Sequence, residues 1–202
     1  RIGKLGFTSI AEALHRVARY PLLVQEMAEL MDYLHANLEL KTYPMADGFP
    51  RGLELHGCYT REEVFALYGR QTADKKMQGV ASGAFSINEC NTELLFVTLN
   101  KSEKDFSPST QYDDYFISQW RFHWQSQNCM SHSNAGERYV NQRTNGRRFL
   151  LFVREDKRDG FGNTSPYYCM GLVDYVSSHG NFPMNIEWRL ERPAMAKFIK
   201  AV

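Results

Sequence analysis

Between residues 112 and 128 the chain sets rings, carboxylates and amides side by side: Tyr112, Asp113, Asp114 and Tyr115, then Phe122, His123, Trp124, Gln125, Ser126, Gln127 and Asn128. Rings stack on nucleobases, amides read the hydrogen-bonding edges of bases, and a carboxylate accepts from the exocyclic amine of cytosine. A base pocket built from these types takes Tyr112, Tyr115 and Trp124 as walls. Asp114 is its acceptor for N4, with Asp113 equal on physical grounds, and Gln125 and Ser126 read base edges. Each choice has a plainer alternative. A Trp inside a strand is also ordinary core. An Asp in a polar stretch after Pro108 also opens an Asx turn. The amides at 125–128 also make a hydrogen-bonded turn between strand and loop.

Cations flank this stretch. Lys101 and Lys104 precede it, and Arg138, Arg143, Arg147, Arg148, Arg154, Lys157 and Arg158 follow, against Glu155 and Asp156. Net charge is only +1, so an anion-binding face has to come from local segregation of charge. Read that way, the phosphate contacts are Lys101, Lys104, Arg143, Arg147, Arg148, Lys157 and Arg158, with His179 from a hairpin loop at 177–180. Read plainly, the basic run is the solvated rim of a hairpin.

Other chemistry is missing from the sequence. It has no phosphate-cradling G-x-x-x-x-G-K-[ST] or G-x-G-x-x-G turn, no H-E-x-x-H and no G-x-S-x-G. No motif pairs a nucleophile with its base, so the expectation is a chain without catalysis or cofactor; a nuclease built on His123 and the nearby carboxylates is the remaining enzymatic reading. The four cysteines, Cys58, Cys90, Cys129 and Cys169, form no C-x-x-C pair and suit free thiols in a reducing cytosol. Cys129 and His132 have metal-ligand spacing but lack a second pair, so no metal is expected. There is no signal peptide and no apolar run long enough for a bilayer. A chain opening at Arg1 reads as a piece excised from a longer protein.

The elements that must position these residues divide the chain into a helical appendage at 1–42 and a β-rich domain at 53–202. Ser9 or Thr8 caps a helix through Val17, and Pro21 starts a second with apolar residues at Leu22, Leu23, Met27, Leu30, Met31 and Leu34. Thr60 and Glu63 form a capping box for a short helix ended by Gly69. Strands are expected at 79–88, 92–99, 117–125, 148–154, 167–176 and 184–190, with hairpin turns at Asn145-Gly146 and Asp159-Gly160. The aromatic content of 13% also favours a β-rich fold. The fold class is therefore α+β: a curved, mostly antiparallel, barrel-like sheet with the N-terminal helices packed outside it.

A set of linked motifs runs through this chain: residues 94–106 from Leu94 to Phe106, Tyr112-x-Asp114-Tyr115, Phe122 to Asn128, Gly136-x-Arg138-Tyr139, Leu150 to Glu155 and Pro183 to Leu190, with Leu55 to Glu63 upstream. It resembles a family of bacterial C-terminal domains, long labelled of unknown function, that follow superfamily II (DEAD/DEAH-type) helicases, often with a phospholipase D-like nuclease at the N-terminus. The resemblance covers about residues 53–191, and the helices before residue 40 resemble the segment joining helicase to domain. It implies a recognition domain of a bacterial, cytoplasmic, ATP-dependent restriction protein that acts on DNA carrying 5-methylcytosine or 5-hydroxymethylcytosine. It also implies an SRA-like, PUA-like curved barrel, a fold in which the modified cytosine is flipped into an aromatic pocket. The partners implied are double-stranded DNA and the helicase and nuclease domains of the same polypeptide. The competing function is a module that docks onto its motor through the apolar N-terminal helices and reads no base.

Overall fold

The computed structural model describes residues 6, 9–36, 42–45, 47–72, 83–101, 113–126 and 133–199. Helices α1 (Ile10–Val17) and α2 (Pro21–Ala36) come first, then short strands β1 (Tyr43–Pro44), β2 (Glu54–Leu55) and β3 (Cys58–Tyr59), and helix α3 (Arg61–Leu67). Strands β4 (Ala84–Ile87), β5 (Thr92–Asn100), β6 (Tyr115–Ser118) and β7 (Arg121–Gln125) follow. Helices α4 (Asn134–Val140) and α5 (Gln142–Asn145) lead into β8 (Arg148–Asp156), β9 (Tyr167–His179) and β10 (Asn185–Leu190).

The local signals act as their chemistry requires. Ser9 Oγ accepts from the Glu12 amide and caps α1. At α3 the capping box is complete: the Glu63 amide donates to Thr60 Oγ1 at 3.2 Å and the Thr60 amide to Glu63 Oε2 at 2.7 Å.

The main sheet has the order β4-β5-β8-β9-β10-β7-β6, with β3 joined to β9. Its ladders are antiparallel except for the central β5–β8 pair, which is parallel. Among the described residues, strands β4 and β6 end the order, so the sheet is open and the expected barrel does not close. The reason lies in the centre. The unbroken apolar runs of β5 and β8 send side chains to both faces, and both faces are covered. Leu95, Val97, Leu151 and Val153 pack with Phe122, Trp124, Trp188 and Tyr139 of α4 on one face. Leu94, Phe96, Leu150 and Phe152 pack with Val64 and Phe65 of α3 and with Leu53 on the other. Each such side chain contributes about 1.5–3 kcal/mol of burial. Two-sided cover at the centre, with β4 and β6 at opposite ends of the strand order, makes this the middle layer of an open, layered fold.

The β10-β7-β6 half differs. Phe122 and Trp124 of β7 and Ile186, Trp188 and Leu190 of β10 are buried, whereas the residues between them stay half-buried or exposed. Here the sheet covers the core with one face and meets solvent with the other.

Other expectations need correction. Every residue of α2 from Pro21 to Leu34 is exposed, so this helix does not pack against the sheet. Leu23, Met27, Leu30, Met31 and Leu34 do fall on one helical stripe, as expected, but that stripe is exposed. Residues 177–179 are the end of β9 and not a hairpin loop. Asn145-Gly146 closes α5, with Gly146 left-handed at φ 62°, and makes no hairpin turn. The expected strand at 117–125 is two strands, β6 and β7, joined at Gln119 and Trp120. In β9, Gly171 sits at φ +81° beside an irregularity in the β8–β9 ladder, and a Cβ there would meet Leu55 at 2.9 Å. Glycine lets the strand approach β2 that closely.

Candidate nucleic-acid interface

Residues opposite one another in antiparallel strands share a face. On the solvent face of the open half, the register aligns three rows of polar residues. Asp174, Arg189 and Arg121 form the first, Ser177, Glu187, His123 and Tyr115 the second, and His179, Asn185 and Gln125 the third. Ion pairs and hydrogen bonds brace these rows. Arg121 Nη1 donates to Glu187 Oε1 at 2.6 Å and Arg189 Nη2 to Asp174 Oδ2 at 2.9 Å. Gln125 Nε2 donates to Asn185 Oδ1 at 3.0 Å, and Gln125 Oε1 accepts from the Asp113 amide at 2.7 Å. The Tyr115 ring stacks on His123, with centroids 4.7 Å apart and planes at 18°, and Tyr115 remains 45% exposed. His123 Nδ1 faces the Asp113 carbonyl at 2.8 Å, which fixes the ring as an Nδ1 donor. This surface is preorganised: a flat aromatic pair with amide, imidazole and guanidinium groups on either side.

The pocket expected from sequence is not assembled as a unit. Trp124 is 3% exposed, edge-on to Tyr139 at 5.3 Å and tilted against Trp188, and so belongs to the core. Strand alternation decides this: His123 and Gln125 point outward, so Trp124 points in. Asp114 is buried as well. Its Oδ2 accepts from Lys101 Nζ at 2.5 Å and its Oδ1 from the Gln125 amide at 2.8 Å. Burial pushes the Asp114 carboxyl above the usual carboxylate range, against the pull of the Lys101 charge and hydrogen bond and of the Gln125 amide. The ion pair anchors the chain entering β6 to the end of β5, the Gln125 amide ties it to the end of β7, and together they leave a base no open acceptor. Ser126 is fully buried and closes the β7–β10 pair: its amide donates to the Met184 carbonyl, and the Met184 amide donates to Ser126 Oγ. Tyr115 and Gln125 lie on the open face. Asp113 is exposed beside them. Tyr112 lies outside the described residues.

The basic run is likewise not one face. Arg147 Nη1 donates to Glu93 Oε2 at 2.9 Å, Arg138 Nε lies 3.5 Å from the same oxygen, and Ser86 Oγ donates to it at 2.7 Å. Glu93 is 1% exposed, so both guanidiniums serve a buried charge. Arg148 donates to the carbonyls of Gly48 and Cys90 and lies over the Phe49 ring. Arg154 is buried on Thr98 and Ser165. Lys157 and Arg158 stand at the β8–β9 turn, where Arg158 donates to the Gly162 carbonyl. Lys101 is held by Asp114. Arg143 is exposed, as is His179 on the third row. Lys104 lies outside the described residues. Residues adjacent in sequence were separated because a helix, a turn and a strand each send them in different directions.

Arg121, Arg189, Asn185 and the stacking role of His123 were not read from the sequence as site residues. The alternation of β7 and β10 carried the signal: if Phe122, Trp124, Ile186 and Trp188 face the core, their neighbours face solvent.

The family model described as a domain of unknown function, DUF3427, matches residues 53–201. No curated protein matches the chain. Among solved structures, the 5-hydroxymethylcytosine-specific restriction enzyme AbaSI is similar at 9% identity and a TM-score of 0.38, over 92% of this chain and 56% of that chain. The chain thus spans little more than half the length of that enzyme.

Proposed function

This chain belongs to the DUF3427 family, and on that premise we propose that it is a DNA-recognition domain. The observation that carries the reading is the open face of β9, β10, β7 and β6, where register alone brings Tyr115, His123, Gln125, Asn185, His179, Arg121 and Arg189 onto one solvent-facing surface. These are the types that stack on bases, read their edges and neutralise phosphates. In this reading the domain works within a restriction helicase-nuclease and supplies recognition without catalysis. It prefers 5-methylcytosine or 5-hydroxymethylcytosine, as the resemblance of its motifs implies. The modified base is flipped from the duplex, since reading every edge requires leaving the stack. It stacks on the exposed side of Tyr115, and Asn185 and Gln125 address its edge. Trp124 and Asp114 hold the frame from inside.

The test is fluorescence anisotropy with labelled duplexes differing at one cytosine: plain, 5-methyl or 5-hydroxymethyl. Tighter binding of a modified duplex, lost in Tyr115→Ala but not in Phe182→Ala, supports the reading. Phe182 is exposed and outside the three rows, so it controls for loss of any surface ring. Absence of binding to any duplex at low salt overturns it. A rise in 2-aminopurine fluorescence at the target position reports the flipping step, and an unchanged signal in a bound complex overturns that step alone. A second reading, docking onto a helicase motor, is favoured by the exposed Leu22, Met27, Leu30, Met31 and Leu34 of α2.

A further inference from the structure

A cleft of about 340 Å³ lies where the α4–α5 corner meets the end of β9, lined by Val140, Asn141, Arg143, Thr144, Tyr175 and Val176, with Arg121 and Arg189 from the solvent face. Its lining carries three guanidiniums and no carboxylate. We infer that this cleft is a phosphate-binding site for a phosphodiester of the nucleic-acid backbone. The inference deepens the DNA-recognition reading and takes its ligand from it.

The donors are what make the cleft suited to a phosphate. Arg121 gives Nη1 to Glu187 and Arg189 gives Nη2 to Asp174. A guanidinium has five N–H donors, so each keeps others for a second acceptor. Those two carboxylates fix the guanidinium planes and lower the local charge without filling the site. Arg143 is exposed, with no ion pair among the described residues, and supplies the uncompensated charge. Arginine forks match phosphate oxygens two at a time, which gives orientation as well as attraction. Asn141 and Thr144 add polar groups at the rim, and Tyr175 and Val176 give an apolar wall for the sugar. The corner is built rigidly. Gln142, buried between Asn141 and Arg143, donates from Nε2 to the Val173 carbonyl at 2.8 Å and accepts from the Tyr175 amide at 2.5 Å. That side chain pins α5 to β9 and so sets the width of the cleft. The volume is at the small end for ligand cavities and suits one nucleotide unit, not a whole duplex face. Because Arg121 and Arg189 also belong to the first row, a phosphate held here fixes the strand beside the Tyr115–His123 stack.

The experiment compares the wild-type chain with Arg143→Gln and Arg143→Lys. Arg143 makes no internal bond among the described residues, so neither change should move the melting temperature. Arg143→Gln should weaken plain and modified duplexes alike by about fivefold and lower the log K against log salt slope by about 0.9. Arg143→Lys should keep the slope and lose part of the affinity, because it keeps the charge and loses the fork. Unchanged affinity and slope in Arg143→Gln overturn the cleft and leave the DNA reading standing. If the wild-type chain binds no duplex, that reading fails and the cleft is judged alone, by amide chemical shifts during titration with deoxycytidine monophosphate and with pyrophosphate. Shifts at Thr144 and Val176 that vanish in Arg143→Gln sustain a site for a free phosphate ester. No shifts there overturn it.

Discussion

Removing Arg147 should unfold the domain more readily and leave its DNA contacts alone, the reverse of what a basic run suggests. Glu93 is 1% exposed, and its Oε2 is held by Arg147 at 2.9 Å, Arg138 at 3.5 Å and Ser86 Oγ at 2.7 Å. Breaking a buried ion pair by deleting one partner costs about 3–5 kcal/mol, because the other charge stays buried. Arg138 and Ser86 remain, so Arg147→Ala should fall at the lower end, about 3 kcal/mol. With a urea m-value near 2 kcal/mol/M for a domain of this size, the midpoint should drop by about 1.5 M. The melting temperature should drop by roughly 6–12 °C. Urea unfolding followed by tryptophan fluorescence reads this directly, since Trp124 and Trp188 lie in the core. Adding Glu93→Gln to Arg147→Ala should recover part of the loss, because the orphaned charge is gone. The reasoning is refuted if Arg147→Ala keeps the wild-type midpoint while flattening the salt dependence of DNA binding, for then the guanidinium serves phosphate.

Four further outcomes follow from the same geometry. Asp114→Ala removes the carboxylate that holds the buried Lys101 ammonium and should cost about 3–5 kcal/mol, with stability restored in part by adding Lys101→Met; an unperturbed urea midpoint refutes the anchoring role. Trp124→Ala should cost about 3–5 kcal/mol and leave base preference in the folded fraction intact; selective loss of preference at full stability would return Trp124 to the site. Burial pushes the Cys169 thiol up to about 12, so at pH 8 only about 10⁻⁴ of it is thiolate and a thiol reagent should leave it unlabelled in the native state, while exposed Cys58 reacts; mass spectrometry of the labelled peptides decides. Desolvation acts upward on Asp159, but the donors of Asn163, Phe161 and Gly162 outweigh it and hold the carboxyl below its usual range. Its contribution to the β8–β9 turn is therefore complete above about pH 4, the unfolded value, and is lost as pH falls through the folded value. The Asn163 amide resonance should report this in an acid titration, and a midpoint at or above the ordinary Asp value refutes it.

The parts of the fold set by local chemistry are legible in the sequence. Thr60 and Glu63 announce α3 because a capping box satisfies two backbone donors with two side chains. The apolar runs of β5 and β8 announce buried strands because nothing polar interrupts them. Helices α4 and α5 were missed. Gly136 inside the helix hides the periodicity, and the cap, Ser133, whose Oγ accepts from the Gly136 amide, is a single residue in a polar stretch. Barrel closure was misjudged because a strand list holds no information on which edges meet, and the parallel β5–β8 pair is a non-local choice. For the site, residue types were informative and depth was not. Tyr115 and Gln125 lie on the open face, yet their neighbours Asp114, Trp124 and Ser126 are inside. Adjacent residues of a strand differ in exposure by the pleat alone, so a cluster in sequence overstates a cluster in space.

The parallel pairing of β5 with β8 also shapes how the chain reaches its native state. These two strands meet only after β6, β7, α4 and α5 have been made, and β7 in turn waits for β10. Loop-closure entropy is thus spent before the central contacts return anything, which places the domain among slow folders of high contact order. Until β8 emerges from the ribosome, the apolar run Leu94 to Val97 has no central partner strand and its β8-facing edge is open to other chains. Shortened versions of this domain that stop before β8 should therefore accumulate as aggregates, whatever the quality of their local helices.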